Sequence, residues 1–512
     1  MRLENISLPF NIDLAEFMAQ HFKGQRFVVL HQALDARRAN RGRVPVYHYQ
    51  VQIGEDGEFL DCKTVFPLPN LPKITSAIRP IIVGTGPAGL WAALRMVAYG
   101  VTPLILEGGD ALGPRKVQIA RCWRYGELDP ASNIYLGEGG AGLFSDGKLN
   151  SRTKSPLKKE VFAWLAQMGV AESILVDAHP HVGSDGMKLV LTKLKNFLAE
   201  QGVEILYRHL VTDLIVDNGK VQGVVCKNGK TFLSDAVFLA TGQSSDELYF
   251  VLAQHGAQLE SKDLAVGVRL ENPASFINQA QYGKFAAQLP PARYTLKCAD
   301  AYSFCMCPGG YVINASSRPD GLVVNGMSNK NCASSWSNAA IVVPVSMQGK
   351  SFAEALAWQR EIEQKAYGAV QTKLKNSDEL SGENPTRFRP LPAQTAASFV
   401  GVAGPSMLEA SSPSGVCWLD LAPILGEEIS THLRRALLKF DQQMPGLIAT
   451  GLLYAPETRT SSAVKIQRDD LGQAIGIQGL WPCGEGFGHG GGIVTAAIDG
   501  LQAVDSWALL QK

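Results

Sequence analysis

Three glycines spaced G-x-G-x-x-G, at Gly84, Gly86 and Gly89, are followed about 20 residues on by Glu107. That spacing suits a pyrophosphate. The first glycine makes a tight turn, the second lets phosphates approach the backbone, and the third lets a helix pack closely on a strand. An acid at the position of Glu107 can accept hydrogen bonds from a ribose diol. A second glycine run lies near the other end: Gly484, Gly486, Gly488, Gly490, Gly491 and Gly492, with Glu485 and His489 among them. It asks for close backbone approach to a flat ligand, then a helix N-terminus near Ile493 aimed at it. A nicotinamide-only site has no need for so remote a return. A flavin dinucleotide stretched across the fold does, with its ribityl-phosphate at Glu485 and its ring against the glycines. The helix end would stabilise negative charge at the ring's N1–O2 edge on reduction.

Other residues have the chemistry for a role beside such a ring. His489 could act as acid, base or hydrogen-bond partner, or only shape its turn. Glu457 and Arg459, in APETRTSSAV, could form a carboxylate clamp and an ion pair over the ring, or a structural salt bridge. Arg269 stands in an apolar stretch and needs a carboxylate or an anionic ligand. Cys305 and Cys307 alternate on an expected strand and so face one side. They could form a redox pair, but a C-x-C lacks the helix N-terminus that activates C-x-x-C thiols, so pocket lining is their expected role. Packing is likewise expected of Cys483.

These residues need elements to position them. Arg79 to Val83 is a short apolar run of the kind a buried parallel strand uses. Leu90 to Tyr99 is a helix ended by Gly100, and Thr102 to Leu106 is a second buried strand with Glu107 at its carboxyl end. Gly137, Gly139 and Gly142 formally repeat the glycine spacing. No long apolar strand precedes them and Phe144-Ser-Asp-Gly147 breaks any helix, so this loop is expected to approach the same cofactor. Asp185 to Glu200 reads as an amphipathic helix. Leu210 to Val216, Val221 to Cys226 and Thr231 to Val237 read as a meander turning at Asn218-Gly219 and Asn228-Gly229. Ala236 to Gly242 ends in small residues, as a parallel strand facing a ligand does.

At 512 residues the chain has core enough for two or three domains. Residues 1–75 read as a small α+β domain, with strands at Leu3 to Leu8, Arg26 to Leu30 and Val46 to Ile53, a helix capped by Asp13, and a Pro67-to-Pro72 linker. Residues 76–260 read as the first part of a doubly wound nucleotide domain and 261–400 as an inserted β-rich substrate domain. That domain has expected strands at Ala265 to Leu270, Tyr294 to Cys298, Tyr302 to Met306, Tyr311 to Asn314 and Leu322 to Asn325, and a helix from Ser351 to Leu374. Residues 401–512 read as the return to the nucleotide domain. A net charge of +1 exerts no general pull on nucleic acid or acidic membrane. Nine scattered cysteines suit reduced thiols in a cytoplasm better than a disulfide framework, and they lack the paired spacing of a zinc site. No secretory leader or membrane span is expected.

With both glycine runs in view, the sequence resembles the uncharacterised FAD-dependent dehydrogenases known as NAD(FAD)-utilising dehydrogenases, within the glutathione-reductase-like flavoproteins. The stretches that carry the resemblance are Asp35-Ala-Arg37-Arg38 with Val46-Tyr47, IIVGTGPAGLWAAL, GEGGAGLFSDGKL, AVGVRLENP, YSFCMCPGGYVINAS, VVNGMS, APETRTSSAVKIQRD and PCGEGFGHGGGIVTAAIDG. The loop of Arg41 to Arg43 before Val46 departs from the pattern. The resemblance implies an α/β protein: a Rossmann-like FAD domain split in sequence, an inserted β-rich substrate domain and a small N-terminal α+β domain. It also implies non-covalent FAD held by Gly84, Gly86, Gly89, Glu107, the loop Gly139-Gly140-Ala141-Gly142, Thr241-Gly242, Gly484-Glu485 and Gly490-Gly491-Gly492-Ile493. Pro87, Ala88 and Arg115 complete the expected cofactor-binding set.

The expected activity is hydride transfer between flavin and an organic substrate in a cleft between the two larger domains, with His489, Arg459, Glu457 and Arg269 as the candidate catalytic groups. NAD(P)H as a transient electron donor is left open, because no second βαβ nucleotide unit is legible. Two alternatives stand beside this. One is a flavoprotein that modifies RNA through the basic stretches 37–43 and 148–159, against which the near-zero charge argues. The other is a protein in which FAD is purely structural.

Overall fold

The computed structural model describes residues 2–54, 69, 71–75, 79–151, 153–376 and 388–511. Half of the expected Pro67-to-Pro72 linker, residues 67, 68 and 70, lies outside them.

Five short strands form a parallel sheet in the order Leu480–Pro482, Val237–Leu239, Ile81–Val83, Leu104–Leu106 and Glu204–Leu206. Its two faces bury different side chains. Ile82, Ile105, Phe238 and Trp481 enter one apolar core. Ile81, Val83, Leu104, Leu106, Val237, Leu239 and Leu480 enter the other. Burial on both faces is why these strands read as continuous apolar runs rather than alternations. The helix Pro87–Ala98 follows the central strand, with Gly86 at its N-cap and Pro87 in its first turn, where a missing N–H costs nothing. The helix Ile493–Leu509 packs along it. Only a glycine fits at the crossing, since a Cβ on Gly500 would overlap the Ala88 carbonyl.

A six-stranded sheet forms the β-rich layer: Tyr302–Cys307, Trp336–Val345, Leu264–Pro273, Leu452–Glu457, Leu391–Thr395 and Val416–Trp418. Its pairs are antiparallel except the last. The chain therefore rejoins the parallel sheet only at Leu480, well after residue 401. Val416–Trp418 and Leu452–Glu457 are apolar strands like their neighbours, and only their pairing partners decide which sheet they enter. Tyr294 to Cys298 is not a strand and makes only the isolated bridge Lys297–Tyr302. The helix Phe352–Lys375 begins on a capping box of Ser351 and Glu354.

Residues 2–54 fold as three antiparallel strands, Arg2–Pro9, Val46–Gly54 and Arg26–Asp35 in that order across the sheet, with the helix Leu14–His21 capped by Asp13. Among the described residues no helix is long and apolar enough to cross a membrane. No group of three His, Cys, Asp or Glu side chains among them could hold a metal ion.

Candidate functional site

Three strands of the parallel sheet end side by side, and each runs straight into a glycine turn: Val83 into Gly84, Leu239 into Thr241-Gly242, and Pro482 into Gly484. Ligands of open α/β sheets bind at this carboxyl edge. Gly84 takes φ +106°, and a Cβ there would lie 2.5 Å from the Ala240 carbonyl oxygen. A Cβ on Gly89 would overlap the Gly84 carbonyl. These two glycines are demanded by packing. Gly86 differs, because the nearest atom to a Cβ there is 3.9 Å away, on Gly140. Gly242 has nothing within 4 Å of its Cβ direction. Space left open beside close-packed neighbours fits a dinucleotide laid against the backbone.

The loop Gly139-Gly140-Ala141-Gly142 comes to this edge. A Cβ on Gly140 would stand 3.0 Å from Gly86 Cα, and one on Gly142 would stand 3.1 Å from Ile493 Cγ1 and 3.8 Å from Pro87. A Cβ on Gly484 would stand 3.0 Å from Ala88 Cβ, and one on Gly491 would stand 2.8 Å from the Glu485 carboxylate. The segments around residues 84–89, 139–142, 241–242 and 484–493 thus meet in one place. The Thr241 hydroxyl, close to Gly84, is buried and unpartnered among the described residues, a polar atom left over for a ligand.

Glu107 and Arg115 serve the walls of this cradle. Glu107 is buried and accepts from Thr85 N at 3.0 Å, Thr85 Oγ1 at 2.5 Å, Gly109 N at 2.8 Å and Gly137 N at 3.1 Å. Those four donors use a carboxylate's four lone-pair sites, so a ribose diol must displace one of them to bind here. Arg115, fully buried, donates to the carbonyls of Asn133, Ile134 and Glu138 and stacks on Phe144 at 4.9 Å. Burial lowers its pKa to about 10. It fastens the 133–138 turn that leads into the glycine loop.

Where the cradle meets the β-rich sheet, two buried ion pairs stand together. Arg269 grips Glu457 through Nε at 2.9 Å and Nη2 at 2.6 Å. Arg459 grips Glu363 through Nε at 2.9 Å and Nη2 at 3.0 Å. The expected pairing of Glu457 with Arg459 does not form. The strand containing Glu457 aims it at Arg269 across the sheet, and Arg459 lies beyond the strand's end facing the helix Phe352–Lys375. Burial pushes the Glu457 carboxyl up, and the Arg269 guanidinium pulls it back. Arg459 also exchanges hydrogen bonds with Gln243, next to Gly242, and lies 5.6 Å from the Tyr135 ring. The hydroxyls of Tyr135 and Tyr294 are buried and unpartnered among the described residues. Burial holds both in the neutral form, able to donate.

Glu363 was not legible as a site residue. Its only signal is an acid on the buried stripe of its helix, beside Ile362, Ala366 and Val370. His489 Nε2 lies 3.1 Å from the Ile466 carbonyl. A nitrogen that meets a carbonyl carries the proton, which leaves Nδ1 as an acceptor. Burial, then the charge of Arg468, lowers the His489 pKa and keeps the ring neutral. Asp499, also missed, holds the turn: it accepts from Gly484 N at 2.7 Å and from Arg468 at 3.0 Å.

A further cluster forms behind the glycine loop. Asp146 is buried, accepts from His181 Nε2 at 3.1 Å and from Ser328, and forms an ion pair with Lys148 Nζ at 3.1 Å. Burial opposes the charge on His181, but Asp146 and Cys332 together raise its pKa from 6.5 to about 9. A pKa raised on folding adds stability that is complete below the unfolded value and is lost as pH rises through the folded one. Thermal stability is therefore expected to fall between pH 6.5 and about 9, and His181→Asn to flatten that slope. Melting curves across this range, with no difference in slope between the two proteins, would reject the pair as a source of stability.

Arg37 is tied to Asp35 at 2.8 Å, and Lys148 is tied to Asp146. A cavity of about 550 Å³ beside Asp35, Arg37, Arg38, Arg43 and His48 is lined only by residues of the N-terminal sheet and its loop and shares none with the cradle.

Residues 263–460 match a family model described as FAD-dependent protein, C-terminal domain-like, and residues 173–319 match one described as FAD binding domain. An uncharacterized protein of Clostridium beijerinckii is 33% identical over 442 residues, covering 83% of this chain and 80% of the relative. Among solved structures, glycine oxidase from Bacillus cereus is similar with a TM-score of 0.37 and 12% identity, over 85% of this chain and 96% of that one. GidA from Aquifex aeolicus, in its form II crystal, is similar with a TM-score of 0.36 and 13% identity, over 85% and 63%.

Proposed function

The chain belongs to the FAD-dependent oxidoreductase family, and from that premise we propose a site and a reaction. Gly84 to Gly89 and the N-terminus of the helix Pro87–Ala98 would hold the pyrophosphate of a non-covalent FAD. Gly484-Glu485 would hold the ribityl chain, and Gly140 to Gly142 with Ile493 would line the ring. The observation that carries this reading is the meeting of four glycine segments, far apart in sequence, at one edge of the parallel sheet.

When bound, FAD supplies a two-electron acceptor and donor, and hydride passes between it and an organic substrate. The protein's own residues do the rest. The Tyr135 and Tyr294 hydroxyls donate hydrogen bonds to a substrate oxygen or to the ring edge. Arg269–Glu457 and Arg459–Glu363 hold fixed dipoles at the domain junction without adding net charge. Neutral His489 accepts a proton at Nδ1. Closure of the cleft by the six-stranded sheet excludes water.

NADH or NADPH is the proposed electron donor, binding transiently over the flavin. Purified yellow protein mixed anaerobically with each nucleotide should lose its oxidised-flavin absorbance rapidly with one of them. Bleaching by dithionite but by neither nucleotide would reject the nicotinamide-linked reading and turn the search to electron-donating metabolites.

A further inference from the structure

Cys305 and Cys307 sit where the strand Tyr302–Cys307 loses its regular pairing. Phe304 faces Ala340 and Cys307 faces Asn338, so one residue too many lies between them, a β-bulge. Cys305 occupies the left-handed region at φ +46°, rare for a side-chain-bearing residue. In a regular strand residues two apart are separated by about 6.6–6.8 Å. That is the upper edge of the Cα separation, roughly 4.4–6.8 Å, that a disulfide spans. At the bulge the Cys307 thiol donates to the Cys305 carbonyl, with Sγ 3.4 Å from that oxygen, so the second sulfur folds back over the first residue.

Two cations stand over this bulge. Lys148 donates to the carbonyl of Met306, the residue between the cysteines. Arg269 Nη1 lies 3.2 Å from the Cys305 carbonyl oxygen and 3.9 Å from Cys307 Sγ. The two sulfurs differ in access, for Cys305 is half-buried and Cys307 fully buried. An accessible thiol next to a buried one, both under positive charge, is the arrangement of a nucleophile and its resolving partner.

We infer that Cys305 and Cys307 form a two-electron thiol centre that reduces a small organic disulfide, an activity that stands on the sulfurs alone and not on the flavin reading. The neighbouring Cys307 thiol, with the charges of Lys148 and Arg269, holds the Cys305 thiol well below the usual thiol range. The neighbouring Cys305 and burial push Cys307 up. The Cys305 thiolate attacks one sulfur of the small disulfide. The S–S bond breaks, one thiolate leaves and takes a proton from water, and a mixed disulfide remains on Cys305. Cys307 then loses its proton and attacks Cys305 Sγ. The Cys305–Cys307 disulfide forms, and the second small thiol departs with that proton. Two electrons pass from the pair to the substrate, and a dithiol reductant restores the pair by the reverse exchange.

The test uses the full-length protein as purified, reduced with dithiothreitol and desalted, then mixed with 5,5′-dithiobis(2-nitrobenzoate). A fast phase should release two thiolate equivalents per chain, and peptide fragmentation should locate a disulfide between Cys305 and Cys307. Cys307→Ser should halve the fast phase and trap the mixed disulfide on Cys305. Cys305→Ser should abolish it, and Lys148→Met should slow it several-fold at neutral pH. The wild-type mapping needs no variant to fold. If the pair remains two thiols while other cysteines react, or if the fast phase maps elsewhere, the inference falls.

Discussion

Replacing Arg269 by Met while leaving Glu457 in place is expected to destabilise the protein by about 3–5 kcal/mol, the cost of breaking a buried ion pair from one side. Arg269 is fully buried and meets Glu457 through two nitrogens, and it also supplies hydrogen bonds to the Asn325 and Asn338 side-chain oxygens at 3.2 and 3.0 Å. Its loss leaves a carboxylate in the interior with no counter-charge. Removing both partners, as Arg269→Met with Glu457→Leu, should recover much of that loss, because two charges no longer need desolvation. The second pair offers a control with a different outcome. Arg459 also lies 3.9 Å from Asp246, which Arg360 holds at 3.0 Å, so Arg459→Met with Glu363→Leu removes part of that acid's counter-charge and should recover less. Urea denaturation of the parent, the Arg269→Met and Arg459→Met single variants and the two double variants reads all of this. A single Arg269 variant as stable as the parent would show that the pair is not held as charges.

Gly86→Ala should separate the fold from the ligand. Gly86 has φ −70° and ψ −179°, which any residue adopts, and its Cβ would find its nearest neighbour at 3.9 Å. The flavin-free protein should melt as the parent does. The added methyl would stand where the pyrophosphate must lie, and overpacking of about 1–3 kcal/mol corresponds to roughly 5- to 150-fold weaker FAD binding. Gly89→Ala, whose Cβ would overlap the Gly84 carbonyl, should lose both stability and flavin. Flavin retained after dialysis and the melting temperature of the flavin-free form distinguish the two. If Gly86→Ala binds FAD as tightly as the parent does, the phosphates do not rest on this turn.

Much of this was legible because it is local. Gly84, Gly86 and Gly89 sit between a strand and a helix within one stretch of chain, and turn geometry dictates those residue types wherever the unit folds. The same holds for Asp13 at its helix cap and for Asn218-Gly219 at its turn, where both residues take positive φ. The partners of long-range polar contacts were not legible. Asp146 read as a helix breaker because His181 and Ser328 lie 35 and 182 residues away. Glu457 and Arg459 read as a pair because they are neighbours in sequence, although strand pairing sends them to Arg269 and Glu363.

The sequence alone determined that the chain has a dinucleotide turn, a remote glycine-rich return and an α/β scaffold with a β-rich insertion, since hydrophobic period and turn chemistry act over a few residues. Only the tertiary structure decided that Val416–Trp418 and Leu452–Glu457 join the six-stranded sheet, that Glu107 and Arg115 brace the cradle walls, and that a bulge brings Cys305 against Cys307 beneath two cations. The reason is physical. A backbone turn is chosen by its own residues, whereas a buried charge or thiol acquires its properties from whichever groups the fold carries to it.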